Sequence, residues 1–265
     1  MRPMSATAVT YRSEAYIGVI TMNRADSRNS MTPELLDAFA AASRAARADA
    51  SARCIVVTGT GSCFSAGADV KTALQRGEGS PEERSYAMYA PFLSLCDLDV
   101  PVVGALNGHA VGGGFGLALV CDIRIGAETA KYGANFTRLG LAPGMAISFL
   151  LPRIVGYPRS HELLLTGRLV GGNEAAALGI LNRAVPSDEV FSSAMEIARA
   201  IAANAPIAVR ETKAALRRGL GVTAQAIREA ARAEAAVQAH SVDTDDCREG
   251  IAAWLEKRAP VFRGA

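Results

Sequence analysis

An α/β domain with a helical C-terminal part is the fold the sequence predicts, on three observations. Short apolar, strand-favouring runs alternate with helix-spaced segments as far as about residue 185. Two glycine-bearing loops directly follow such runs, and beyond Pro186 the pattern is helical to the end. With 265 residues, half of them hydrophobic, the chain is long enough to bury a substantial core.

Taken in order, residues 9–12 and 16–22 are β-favouring runs separated by the polar "SEA", which predicts a hairpin. Thr32-Pro33-Glu34 supplies an N-cap, a first-turn proline and an early acid. Leu35, Leu36, Phe39 and Ala42 follow at helical spacing, so a helix over 33–47 is expected. "CIVVTG" (54–59) and "PVVGAL" (101–106) are buried strands with a helix over 83–95 between them, and "IRI" (123–125) continues the series. This alternation implies parallel pairing through right-handed crossovers, with the site on loops at the carboxyl ends of the strands. Helices are predicted over 188–204, 206–218, 223–240 and 244–257, which divides the chain into a core, 1–204, and a helical subdomain, 205–265. The polar segment 75–83, "QRGEGSPEE", is the most loop-like interior piece, placed to cover a site.

A formal charge of +2 with one fifth of residues charged gives no field of the kind that draws nucleic acid or an anionic membrane, so a small-molecule role is expected. Cys54, Cys63, Cys96, Cys121 and Cys247 form no C-x-x-C pair, which suggests reduced thiols, a cytoplasmic setting and no metal site. The start carries no run of signal-peptide type, and residues 99–122 are too interrupted by proline, asparagine, histidine and glycine for a membrane span.

The chemistry-bearing stretch is "GHAVGGGFGLALVCD" (108–122). It runs glycine turn into helix, so Gly112, Gly113 and Gly114 fall on a first turn whose amide N–H groups lack intrahelical partners and face a positive dipole end. Glycine also lets a ligand approach the main chain closely. The second loop, "GTGSCFSAGAD" (59–69), offers small residues at Ser65, Ala66, Gly67 and Ala68 and can supply a partner amide for a developing oxyanion. Tight packing turns explain the same glycines, and phosphate cradling finds neither of its usual signatures here.

"FSAGADV" (64–70) and "NGHAVGGGFGLALVCDIRI" (107–125) resemble the two signature loops of the crotonase (enoyl-CoA hydratase/isomerase) superfamily. "MNRADSRNSMT" (22–32), "LTGRLVGGNEAAALGILNRAV" (165–185) and the final "DTDDCREGIAAWLEKRAPVFRGA" (243–265) extend the likeness over nearly the whole chain. The resemblance implies a spiral of repeated ββα units with a C-terminal α-helical region involved in trimer formation, as a homotrimer or dimer of trimers. It implies an acyl-CoA substrate, with no cofactor beyond the CoA moiety. The thioester oxygen would be held by two amides, which the motif match puts on Ala66 and Gly113. Asp26, Ser27 and Arg28, together with Ala66, Gly67, Ala68, Asp69 and Val70, would line the CoA path, with Gly112, Gly116, Phe136 and Leu139 around the acyl group.

The chain departs from the family where hydratases carry their two glutamates: Gly116 and Phe136 stand there, and Gly144 stands where some isomerases place an acid. Efficient hydration needs a group to activate water and another to protonate the α-carbon, so hydratase activity is expected to be weak or absent. His109, Tyr86 and Tyr89 are the remaining acid–base candidates, each with a structural reading beside it. Asn135 and Arg138 flank Phe136, and Asp122 reads as a turn anchor. Cys63 and Ser65 lack the G-x-S-x-G elbow of a nucleophile. Two functions stay open, a crotonase-type lyase or isomerase and a non-catalytic acyl-CoA binder.

Overall fold

The computed structural model describes residues 7–69 and 79–265; Val70 and the 75–78 part of the polar segment lie outside the described residues. β1 (Val9–Glu14) and β2 (Ile17–Met22) form the expected hairpin. Its turn is Ala15-Tyr16, with φ of 47° and 66°, the doubly left-handed geometry whose twist suits two-residue hairpins. Neither residue is glycine or asparagine; the Tyr16 ring lies under the Arg53 guanidinium, 4.0 Å from its centroid.

Three strand pairs then repeat one plan. β3 (Cys54–Gly59), β5 (Val102–Leu106) and β7 (Ile123–Ala127) lie parallel in a six-stranded sheet ordered β1-β2-β3-β5-β7-β10. Each turns a corner into a three-residue strand: β4 (Cys63–Ser65), β6 (His109–Val111) and β8 (Lys131–Gly133). These build a second sheet ordered β4-β6-β8-β9, and β9 (Val170–Gly171) and β10 (Arg183–Val185) complete the two sheets. The short strands went unread in the sequence because three residues show no periodicity. Asn107 locks two corners together, its Oδ1 accepting from the Gly59 N–H at 3.0 Å and its Nδ2 donating to the Gly61 carbonyl at 2.8 Å.

The helices follow their sequence signals. α1 (Pro33–Ala48) is capped by Thr32, whose Oγ1 accepts from the Leu35 N–H at 3.3 Å, and it buries Leu35, Leu36, Phe39 and Ala42. α2 (Pro81–Leu93) begins with a Ser80–Glu83 capping box, earlier than the hydrophobic spacing alone suggests. α3 (Gly113–Val120) is buried along its whole length, followed by α4 (Ile147–Val155), α5 (Tyr157–Thr166) and α6 (Gly172–Ala177). α7 (Val190–Ala202) covers β3, β5 and β7. α8 (Pro206–Gly219), α9 (Ala224–Val242) and α10 (Asp245–Glu256) complete the C-terminal part. Thr223 and Thr244 cap α9 and α10 through the N–H groups of Ala226 and Cys247.

Asp122 is an anchor, as expected, but of more than a turn. Its carboxylate accepts from the Val102 N–H at 2.8 Å and pairs with Lys213 at 2.9 Å and Arg217 at 3.0 Å, which ties α8 to the start of β5. All five cysteines are free and buried. Among the described residues no helix is long and apolar enough to cross a membrane, and no group of acidic, histidine and cysteine side chains is arranged to hold a metal ion.

Candidate active site

Two loops that leave the carboxyl ends of β4 and β6 meet face to face. Gly112 has φ +56° and donates its N–H to the Gly133 carbonyl at 3.0 Å; its own carbonyl accepts from Phe115 at 3.0 Å and Gly116 at 3.1 Å, which starts α3. Gly113, the first helical residue, has no acceptor for its N–H among the described residues, as the first turn of a helix requires. A Cβ on Gly113 would overlap the Met31 Sδ, and one on Gly114 would overlap the Ser65 carbonyl. Opposite them Gly67 has φ +78°, and a Cβ there would stand 2.7 Å from the Val111 carbonyl and 2.9 Å from the Gly113 nitrogen. Both loops therefore need glycine so that two main chains can touch.

The hydrogen bonds of the first loop correct one expectation. The Ala66 N–H donates to the Arg28 carbonyl at 3.1 Å, and the Gly67 N–H points to the Ser65 Oγ at 3.3 Å. The Ala66 amide is thus occupied within the fold. Two residues further on, the Ala68 N–H has no acceptor among the described residues, and Ala68 and Gly113 border the same pocket.

That pocket has a volume of about 560 Å³. Of the residues singled out in the sequence, Arg28, Ala66, Ala68, Gly112, Gly113, His109, Phe136 and Leu139 border it; Asp26, Ser27, Gly67, Asp69 and Gly116 do not. Asp26 is exposed and ion-paired to Arg24 at 3.4 Å, which holds its carboxyl below the usual range. Several wall residues were not singled out in the sequence, among them Lys131, Leu141, Leu169, and Ile251 and Trp254 of α10. α10 comes this close because Gly140 and Gly250 leave no side chain between it and the 136–139 turn; a Cβ on Gly250 would lie 2.6 Å from the Leu139 carbonyl carbon, and one on Gly140 2.6 Å from that of Asp246.

Residues 12–265 match the sequence pattern described as enoyl-CoA hydratase/isomerase. The chain belongs to this family. It is 36% identical to the mitochondrial enoyl-CoA hydratase domain-containing protein 2 of Bos taurus, over 94% of this chain and 84% of that one. It is 33% identical to the mitochondrial methylglutaconyl-CoA hydratase of Rattus norvegicus, over 94% of this chain and 79% of that one. The crystal structure of an enoyl-CoA hydratase/isomerase from Pseudoalteromonas atlantica T6c superposes with a TM-score of 0.85 at 28% identity, covering 97% of this chain and all of the other. The crotonase-type spiral is thus the fold as well as the expectation.

Within the crotonase frame, the three positions assigned to acids are shut rather than merely vacant. A Cβ on Gly116 would overlap the Met145 Cβ and stand 3.4 Å from Ile147 Cγ1; one on Gly144 would overlap the Tyr89 hydroxyl. Phe136 is buried, with its ring tip near Gly112, and forms an apolar wall beside the amides. No aspartate or glutamate borders the pocket among the described residues.

Of the remaining acid–base candidates, His109 borders the pocket and the two tyrosines do not. His109 lies on β6 rather than in the strand-to-helix loop, and its Nδ1 accepts from the Lys131 N–H at 2.9 Å. Tyr89 is buried, donates to the Gln238 Oε1, and has its phenol pushed up by burial. Tyr86 lies beneath the Arg232 guanidinium, 4.7 Å from its ring centroid. Arg138 turns away to the Thr166 carbonyl at 3.1 Å, whereas Asn135 borders the pocket. Burial pushes the Cys63 thiol up to about 11, against nucleophilic use, and Ser65 Oγ donates to the Asn29 carbonyl at 2.8 Å.

Proposed function

We propose that this protein binds an acyl-CoA thioester with its carbonyl oxygen between the N–H groups of Ala68 and Gly113, and that it is a crotonase-type lyase or isomerase working by enolate stabilisation. The observation that carries this reading is a pair of amides from two touching loops on one pocket, neither with an acceptor among the described residues. Fixed donors of this kind lower the barrier by roughly 3–4 kcal/mol each, because they need no reorganisation as charge develops on the oxygen. Since the acid positions are filled by Met145, Tyr89 and Phe136, efficient hydration of an enoyl-CoA is not expected. A proton then reaches the α-carbon from water or from the substrate itself.

The same closure favours a second reading, a homologue that binds acyl-CoA without turning it over. One pair of experiments separates them. Butyryl-CoA should bind at least tenfold more tightly than S-butyl-CoA, the thioether that lacks the carbonyl; equal affinity would remove the oxyanion reading. Exchange of butyryl-CoA α-protons in heavy water should be catalysed by an enzyme and absent for a binder. We further propose a homotrimer or dimer of trimers in the cytoplasm, supported by the exposed Ile207 and Leu216 on α8 with Leu220 just after it, and by the unpaired cysteines.

A further inference from the structure

A second cavity, of about 810 Å³, lies at the amino ends of β5 and β7, away from the loops that carry the amides. It is bordered by Pro101, just before β5, and by Ile123, the first residue of β7, and it shares no wall residue with the first pocket. Sites for small organic molecules occupy roughly 300–1,000 Å³, so the space suffices for one. The two cavities stand at opposite ends of α3. Gly113 at its start borders the first, and Leu119 and Val120 at its end border the second, about 9 Å further along at ~1.5 Å per residue.

Much of the wall is apolar, from Leu150 and Ile154 of α4, Val209 of α8 and Ile227 of α9. One group in it is out of keeping. Arg124 on β7 is 8% exposed, and the neighbouring Asp122 carboxylate pairs with Lys213 and Arg217 instead. Arg124 Nε donates to the Ile180 carbonyl and Nη1 to the Cys121 carbonyl, each at 2.6 Å, while Nη2 has no acceptor among the described residues. Nor is Nη2 sealed off, because the fully enclosed side-chain atom left unpartnered among those residues is Glu234 Oε2. Burial works against the charge of this guanidinium, which cannot shed its proton and gains from a partner anion. Four cations, Arg124, Arg153, Lys213 and Arg217, border the cavity with one carboxylate, Asp122, so the field there favours an anion.

We propose that this cavity is a second ligand site, for a fatty carboxylate, with the headgroup on Arg124 Nη2 and the alkyl chain along the apolar wall. A single carboxylate suits it better than a dianion, because one guanidinium nitrogen is open and Asp122 stands beside it. The site is separate from the two amides and does not depend on the acyl-CoA reading.

The test is calorimetric titration of octanoate, 1-octanol and acetate into the full-length wild type, Arg124→Gln and Ala208→Trp. Octanoate should bind the wild type at least about tenfold more tightly than 1-octanol, the scale of a hydrogen bond to a charged group, and acetate, which lacks the chain, should give no measurable heat. Protein saturated with butyryl-CoA should bind octanoate as tightly as free protein does. Arg124→Gln should erase the preference for octanoate over octanol. Ala208 borders the cavity from an exposed position on α8, so Ala208→Trp fills the space without disturbing the core, and it keeps the test decisive should Arg124→Gln not fold. It should abolish octanoate binding with Tm unchanged. Failure of octanoate to bind the wild type, equal affinity for 1-octanol, displacement by butyryl-CoA, or undiminished binding to Ala208→Trp overturns the proposal. A second copy of the chain filling the cavity would also overturn it, and would show as no octanoate binding together with a lower assembly mass for Ala208→Trp in light scattering. Absence of butyryl-CoA binding would instead refute the acyl-CoA reading and leave the octanoate contrast standing.

Discussion

Gly116→Glu would put a carboxylate where the resemblance to hydratases expects one, yet the surroundings predict collapse rather than rescue. The new Cβ would overlap the Met145 Cβ, a main-chain-proximal atom that no rotamer change can withdraw. Met145 is fully buried at φ 65° and Ala146 at φ 58°, so the loop is already in a sparsely populated conformation and resists displacement. It is also held from behind, since Glu234 Oε1 accepts from the Ser148 N–H at 2.7 Å. Overpacking of this kind costs about 1–3 kcal/mol, and a buried carboxylate without a partner adds at least ~3 kcal/mol. The sum, about 4–6 kcal/mol, is a large share of the ~5–15 kcal/mol that holds a domain together. At ~2–4 °C per kcal/mol, differential scanning calorimetry should find Gly116→Glu melting at least about 8 °C lower, and Gly116→Ala about 2–12 °C lower. Met145→Gly, which tolerates positive φ and vacates the spot, should make Gly116→Ala milder than in the wild type. A Gly116→Glu protein with unchanged Tm that hydrates crotonyl-CoA briskly would show that the space was never closed.

Other expectations follow from the same contacts. Gly67→Ala places a methyl group against Val111 and the Gly113 nitrogen at φ +78°; it should destabilise by more than about 1 kcal/mol and cut butyryl-CoA affinity in a fluorescence titration. Trp254→Ala removes half-exposed pocket wall and should weaken acyl-CoA binding roughly fivefold, the equivalent of about 1 kcal/mol, with little change in Tm. Glu234 is buried, its Oε2 has no partner among the described residues, and burial raises its carboxyl. A raised carboxyl contributes stability that is complete below the unfolded value near 4.3 and is lost as pH climbs through the folded one. Glu234→Gln should therefore gain Tm relative to the wild type as pH rises from about 4.5 to 8; a constant difference would mean that the carboxyl titrates normally. Lys213→Met removes the donor that the buried Leu98 and half-buried Val100 carbonyls share and breaks the ion pair with Asp122, and should cost about 3–5 kcal/mol in a urea melt.

What the sequence revealed depended on whether the signal was local. α8, α9 and α10 lie within two residues of their expected bounds, because Pro206, Thr223 and Thr244 announce them. The hairpin turn was misplaced because Ala15 and Tyr16 adopt positive φ without the residues that usually do so. The glycine loops were legible as a device for close approach, but the choice of amide was not: which N–H remains open is settled by the Arg28 carbonyl, 38 positions upstream of Ala66 in chain terms no motif can encode. Leu169, Ile251 and Trp254 were invisible for a similar reason, as they reach the pocket only through packing between distant segments.

The seam where Gly140 and Gly250 meet gives the final helix a grip on ligand size. Two backbones in direct contact act as a hard stop, so any bulk introduced at either glycine would swing Ile251 and Trp254 outward as one rigid panel. On the proposed acyl-CoA reading, chain-length preference would then be reset from a joint that lies outside the pocket wall.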